Sequence, residues 1–190
     1  MAVTAADPDA SVKRLAALFR SHPAWTRAAA LLADDASSNV RFRHRPGEIW
    51  HLVRVSGVTR LEPGELGDAD LELGFTPEAI ERLEATRGGI GAFAVALFDL
   101  AVERDEALRI DVRILVPFSR LVRRGYLRLL VAGGPGVLAW GAAHGVATLG
   151  QLRRFAGRLR TGGGVSAGAR MPQATRPGRR RARGAGKDRP

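Results

Sequence analysis

The sequence predicts an α+β domain: a largely antiparallel five-stranded sheet with helices packed on one face. Three observations predict it. Several short runs alternate apolar and polar residues, the segments between them repeat apolar residues at helical spacing, and two-residue turn signals join neighbouring strands. The 190 residues are enough for one domain with a real core, and 45% hydrophobic with 26% charged residues is globular composition. Cysteine is absent, which excludes a disulfide framework, a thiolate metal cage and a cysteine nucleophile.

The first helical stretch is predicted from Ser11 to Ala36, broken at His22-Pro23. Ser11 suits an N-cap, Val12, Leu15, Ala16 and Phe19 keep helical spacing, and Pro23 suits the first turn of a second segment carrying Trp25, Ala28, Ala29 and Leu32. Val40 to Arg45 then alternates, Pro46-Gly47 reads as a turn, and Ile49 to Val55 is the returning strand. Ser56-Gly57 forms a second two-residue turn into a third strand that reaches Leu61. Leu71, Leu73 and Phe75 alternate with Asp70 and Glu72 in a fourth strand. Thr76-Pro77-Glu78 opens a helix with a cap, a first-turn proline and an early acid. Its apolar stripe runs from Ile80 to Ala101, divided at Arg87-Gly88-Gly89. Ile110, Val112, Ile114 and Val116 share one face of a fifth strand, Pro117 ends it, and Phe118 to Leu130 gives a further amphipathic helix before Gly133-Gly134-Pro135-Gly136.

Leu129 to Leu149 holds 21 residues without a formal charge, close to the ~20 that span a bilayer. Its glycines, alanines and proline argue instead for a buried helix, a turn and a second helix. The N-terminus has no basic start and no apolar run, so a cytoplasmic product is expected. The formal net charge is +11, and residues 151–190 hold 12 basic residues and one acidic residue, whereas residues 1–150 balance at 18 of each. The composition shifts to Gly, Arg, Ala and Pro from about residue 160, which reads as a disordered basic tail. Such a tail attracts phosphate at an anionic membrane or on nucleic acid. It lacks aromatic residues for base stacking, and only two of the 30 basic residues are Lys, so compositional bias is the plainer reading and no specific nucleic-acid recognition is expected.

Convergent polar groups are few. His44, Glu48 and His51 lie close in sequence, but a two-residue turn at Pro46-Gly47 would put both His on the apolar face and Glu48 on the other, so they read as structural residues and not a metal set. Gly88-Gly89-Ile90-Gly91 and Gly133-Gly134-Pro135-Gly136 are too short and wrongly framed for nucleotide loops, and no serine sits in a Gly-x-Ser-x-Gly elbow. Bulky apolar groups remain. They are either simply core or the wall of a cavity that removes a lipid chain from water at about 25 cal/mol per Å².

Trp50-His51-Leu52-Val53-Arg54-Val55-Ser56-Gly57, a strand ending near Pro63-Gly64, and Asp68-Ala69-Asp70-Leu71-Glu72-Leu73-Gly74-Phe75-Thr76-Pro77-Glu78-Ala79 together resemble the sterol carrier protein type 2 lipid-binding domain. The resemblance spans roughly residues 40 to 145 and is most specific from Ala69 to Ala79. It implies helices enclosing an apolar tunnel and noncatalytic binding of a fatty acyl, sterol or quinone-like ligand, for transfer or presentation. Two departures are visible: the stretch from Arg87 to Leu108 is long for this pattern, and the C-terminal Asp188-Arg189-Pro190 is not a peroxisomal address.

The expected organisation is a helical segment over residues 1–36, a lipid-binding domain over 37–157 and an Arg/Gly-rich tail over 158–190. The expected cavity wall is Leu71, Leu73, Phe75, Ile80, Phe93, Leu97, Phe98, Leu121 and Leu130, with no catalytic residue, metal or cofactor. The expected partners are a hydrophobic ligand and, through the tail, an anionic membrane. The alternative is an interaction module whose tail binds nucleic acid or an acidic partner.

Overall fold

A computed structural model describes residues 8–160, and the expectations for the basic tail beyond Arg160 lie outside those residues. Two N-terminal helices, α1 (Pro8–Ser21) and α2 (Pro23–Ala29), precede strands β1 (Ser38–Phe42), β2 (Arg45–Val55), β3 (Val58–Pro63) and β4 (Leu71–Phe75). Helices α3 (Pro77–Glu84) and α4 (Ile90–Val102) lead to β5 (Asp111–Ile114). Four helices close the described chain: α5 (Phe118–Arg123), α6 (Tyr126–Ala132), α7 (Gly134–Ala143) and α8 (Leu149–Arg160).

The sheet order is β3-β2-β1-β4-β5. Every neighbouring pair is antiparallel except the central β1 and β4, which run parallel. Register carries the sequence alternation across the sheet. Val40 pairs with Leu73, which pairs with Val112, on the face that the helices cover; Arg41, Gly74 and Asp111 form the adjacent row on the opposite face. That opposite face is laced by ion pairs, including Arg41 Nε to Glu72 Oε2 at 2.9 Å and Arg43 Nη2 to Asp111 Oδ1 at 2.7 Å.

Most turn chemistry follows the sequence. Val55 pairs with Val58, and Ser56 (φ 52°) and Gly57 (φ 78°) are both left-handed, as a tight hairpin of this type requires. Thr76 Oγ1 accepts from Ala79 N at 3.1 Å and caps α3, and α3 and α4 divide at the expected glycines. The first hairpin differs. Phe42 pairs with Arg45, so the reversal lies at Arg43-His44, and Pro46-Gly47-Glu48 forms an irregularity inside β2 before Arg41 pairs with Ile49. Two constraints favour this arrangement: Pro46 has no N–H for a regular ladder, and Arg43 N donates to Phe75 O at 3.0 Å, extending the β1–β4 pairing past Phe42.

His51 therefore pairs with Asn39 and lies on the face opposite Val40 and Trp50, not on the apolar face. Its Nδ1 is 2.9 Å from Gly64 O and its Nε2 3.8 Å from Glu62, so it ties β2 to the end of β3. His44 packs its ring edge against Phe42. No group of three or more potential metal-binding side chains forms among the described residues.

At the N-terminus, Ser11 is buried inside α1 and is not its cap, because the helix begins at Pro8; the second segment stops at Ala29 and not at Ala36. Both helices complete the main core. Val12, Leu15, Leu18 and Phe19 of α1 meet Val40, Phe42, Leu73 and Phe75 of the sheet, and Phe19 packs edge-on against Trp25 and Phe75. Arg14 joins Glu81 Oε1 at 2.6 Å and Glu84 Oε2 at 3.0 Å, tying α1 to α3. The Glu84 hydrogen bond, followed by that of Glu81, raises the Arg14 pKa.

The uncharged stretch forms two helices, but it is far from wholly buried. Only Val137 and Gly141 of α7 are buried, and α6 buries no residue fully. Close backbone approach holds α7 against α4: a Cβ at Gly91 would lie 2.2 Å from Gly133 O. Gly136, by contrast, faces open space. Gly91→Ala should cost about 1–3 kcal/mol in chemical denaturation because backbone must shift. Gly136→Ala should be neutral or up to about 1 kcal/mol more stable. Equal midpoints for the two variants would refute this account of the α4–α7 contact.

Candidate functional site

A second apolar cluster lies at the β5 edge, on the same sheet face as the main core. It gathers Ile114, Val116 and Leu121 with Ala156 and Leu159 of α8, and Leu71, Val112, Phe118, Tyr126 and Phe155 pack against it. Helix α8 thus lies against β5 and α5 and extends through Arg160, three residues into the span assigned to the tail. Its buried residues Ala156 and Leu159 recur at helical spacing, which is why this Arg-rich segment folds down as a helix.

Between α8 and the β5–α5 connection runs an open groove of about 590 Å³, inside the ~300–1,000 Å³ range of small-molecule sites. Ile114, Pro117, Phe118, Leu149 and Ala156 give it apolar lining, and Arg153 and Arg160 of α8 also line it. The six α8 residues involved, Leu149, Gly150, Arg153, Ala156, Gly157 and Arg160, follow helical spacing along one face. They span roughly 16 Å of helix. No carboxylate lines the groove, and no Asp or Glu occurs in the sequence from residue 112 to 187. Arg153 and Arg160 make no ion pair among the described residues. Apolar lining with two uncompensated guanidinium groups is complementary to a molecule with an apolar body and an anionic group.

The end of this layer is fastened by Asp70, which is completely buried. Its Oδ1 accepts from Arg124 Nη1 at 2.9 Å, and its Oδ2 accepts from Ser37 N and from Tyr126 Oη, each at 3.3 Å. Arg124 is 7% exposed and also reaches Asp35 Oδ2 at 3.0 Å. Burial works against the charge on Arg124, but the hydrogen bond and charge of Asp70, together with Asp35, outweigh it and raise its pKa. Burial, followed by the charge of Asp70, pushes the Tyr126 phenol well above its ordinary range.

The nine residues expected as cavity wall are spread over both apolar clusters and the helices beside them. Leu73, Phe75, Ile80 and Phe93 are buried in the main core, with Leu97 packed against it. Leu71 and Leu121 belong to the second cluster. Phe98 is half-buried and its ring meets Trp140 at 5.0 Å between centroids, and Leu130 is half-buried on α6. None of these nine lines the α8 groove, nor a polar groove of about 550 Å³ bounded by Arg41, Glu72, Asp111 and Arg113, nor a smaller hollow beside Arg60 and Glu62. In the polar groove, Arg41 and Asp111 are already spent on ion pairs within the sheet.

Arg153, Arg160 and Phe118 were absent from the sequence expectation. Their signal was present: positions 149, 153, 156 and 160 repeat at helical spacing, but the surrounding arginines made the segment resemble the tail.

No protein-family model matches this chain, and no curated protein matches it. Among solved structures, one described as "UbiJ-SCP2 Ubiquinone synthesis protein" is similar at a TM-score of 0.38 and 17% identity, over 65% of this chain and 88% of that one. An overlap this loose fixes neither ligand nor partner. No helix among the described residues is long and apolar enough to cross a membrane.

Tyr126 is the only tyrosine in the chain, so phenolate absorbance near alkaline pH reports it alone. It should titrate above the ordinary ~10 while the protein is folded. A raised folded-state pKa means that its contribution to stability is complete below the unfolded value and is lost as pH rises from about 10 towards the folded one. Tyr126→Phe should flatten the thermal midpoint over that alkaline window. Asp70→Asn should cost about 3–5 kcal/mol by leaving Arg124 buried with a weaker partner, and should bring the phenol titration back towards normal. A tyrosine that titrates normally in the folded protein would contradict the geometry.

Proposed function

We propose that this protein is a noncatalytic carrier that binds an amphiphile with an apolar body and an anionic head in the groove between α8 and the β5–α5 connection. The observation that carries the reading is the joining of apolar lining with Arg153 and Arg160 in a ligand-sized groove that contains no carboxylate. The resemblance of Ala69 to Ala79 and its flanking strands to the sterol carrier protein type 2 pattern supports the same ligand class. A fatty acyl compound fits this description directly; a quinone-like or sterol ligand needs an acidic substituent to engage both arginines.

The physical terms are simple. Apolar contact withdraws the ligand chain from water at about 25 cal/mol per Å², while guanidinium groups fix the head without chemistry. An open groove permits lateral loading and release, so transfer is governed by how long the chain stays in contact with Phe118, Leu149 and Ala156.

Dansylated undecanoic acid is a suitable probe, read by its fluorescence on binding and its displacement by oleate. Arg153→Glu together with Arg160→Glu should weaken binding at least about tenfold, a change of about 1.4 kcal/mol. Gly157 lines the groove, and a Cβ there meets nothing within 4 Å, so Gly157→Phe should obstruct the site while leaving the core intact. Wild-type protein that neither binds the probe nor carries an extractable lipid under native mass spectrometry would overturn the proposal. Binding unaffected by both variants would place it elsewhere.

A further inference from the structure

Helices α6 and α7 hold a surface that the groove does not use. Val131 at the end of α6 is 68% exposed and Leu138 on α7 is 67% exposed. Pro135, Leu138 and Ala142 lie at three- and four-residue spacing on α7, all exposed, while Val137 and Gly141 occupy the buried side. Every residue of α7 is uncharged. A helix with aliphatic groups on the water side and no charged side chain is unusual for a free surface.

Charge tells what covers it. Residues 112–160 hold nine arginines and no Asp or Glu, whereas residues 8–111 hold 13 basic and 17 acidic side chains. The described chain is therefore polarised: the part bearing α5–α8 is strongly positive and the remainder is net negative. Arg128 is exposed three residues before Val131 on the same side of α6, and Arg123 is exposed at the end of α5. Neither makes an ion pair among the described residues. The carboxylate that does reach α7 is Asp99 of α4, which accepts from Trp140 Nε1 at 2.7 Å. Exposed aliphatic groups with Arg128 one turn away, in an acid-free part of the chain, match the two components of an anionic bilayer surface: acyl chains below and phosphates above.

We propose that the α6–α7 face docks on anionic membranes, with Val131 and Leu138 entering the interface and Arg128 meeting lipid phosphates. The helices are far too short to span the bilayer, so the contact is peripheral. This surface is separate from the α8 groove, and either proposal can fail alone.

The test is flotation of the full chain with phosphatidylcholine vesicles containing about one-third phosphatidylglycerol, and with phosphatidylcholine alone. Wild type should float with the anionic vesicles and far less with the neutral ones. Val131→Glu with Leu138→Glu should reduce the bound fraction at least about tenfold. The tail and the α8 groove remain intact in that variant, so its thermal midpoint and dansyl-probe binding should match wild type. Val131→Ala with Leu138→Ala, which adds no charge, should give an intermediate loss. Equal flotation of wild type and the Glu variant would overturn the proposal, since the tail would then account for binding. Absence of flotation by wild type would overturn it as well. So would a dimer in sedimentation velocity that the Glu variant dissociates, which would identify a second copy as the occupant.

Discussion

The closing helices depend on one buried carboxylate. Asp70 immediately precedes β4, and its backbone as well as its side chain is committed: its N–H donates to Ser37 O and its carbonyl accepts from Leu115 N, both at 2.9 Å. Its carboxylate then takes Arg124 and Tyr126 from the α5–α6 corner. The start of β1, the start of β4, the exit of β5 and the entry to α6 thus meet at one residue. Removing a charge from water is expensive, and the pair is tolerable because no buried side-chain nitrogen or oxygen of Asp70, Arg124 or Tyr126 is left without a partner. Such a cluster adds little net stability over a packed apolar substitute. Its consequence is directional, because it ties the α5–α6 corner to the starts of β1 and β4.

Given that placement, the layers divide by chemistry. The main core fills the space between α1, α3, α4 and the sheet with Phe19, Phe42, Phe75, Ile80 and Leu83, all essentially inaccessible. Side chains packed to that degree act as structure. The chain then turns at Pro117, and α5 and α8 build a thinner cluster over β5, where fewer bulky residues leave a groove beside Phe118. The groove lies at the margin of the sheet, beside the edge strand β5.

The sequence revealed what depends on local rules. Alternation marked the first, fourth and fifth strands, an apolar run marked the second, Ser56-Gly57 marked the turn into the third, and Thr76-Pro77 marked a helix start, because each is decided by residues within a few positions of one another. The first hairpin resisted such reading. Pro46-Gly47 has strong turn character, but the pairing of Arg43 with Phe75 depends on β4, about thirty residues away, and moves the reversal to Arg43-His44. The candidate site was hidden for a similar reason. Large apolar residues mark burial, and burial alone does not say whether a side chain meets another side chain or a cavity. Leu73 and Phe75 are as consistent with one as with the other until α1 is placed over them. Arg153 and Arg160 were obscured by composition: their arginine-rich surroundings continue into the tail, while the small residues Ala156 and Gly157 give only a faint apolar stripe.

The most informative quantity in the sequence is the distribution of charge, more than its sum. A net +11 describes a basic protein, yet the part preceding residue 112 is acidic in balance and the part following it has no carboxylate until Asp188. Among the described residues, folding repairs this in depth at Asp70, which crosses from the acidic part to meet the buried Arg124 at 2.9 Å and Arg120 at 3.4 Å. Arg120 also reaches Asp68 at 3.1 Å on the surface, where screening leaves that contact weak. The other exposed arginines of α5, α6 and α8 repel one another, a standing cost to the compact state. An anion near this surface relieves that repulsion and gains direct attraction, whereas it would meet net negative charge on the opposite part of the chain. As proposed, the α8 groove and the α6–α7 face answer the same electrostatic constraint at two length scales, one with a single head group and the other with a bilayer of them.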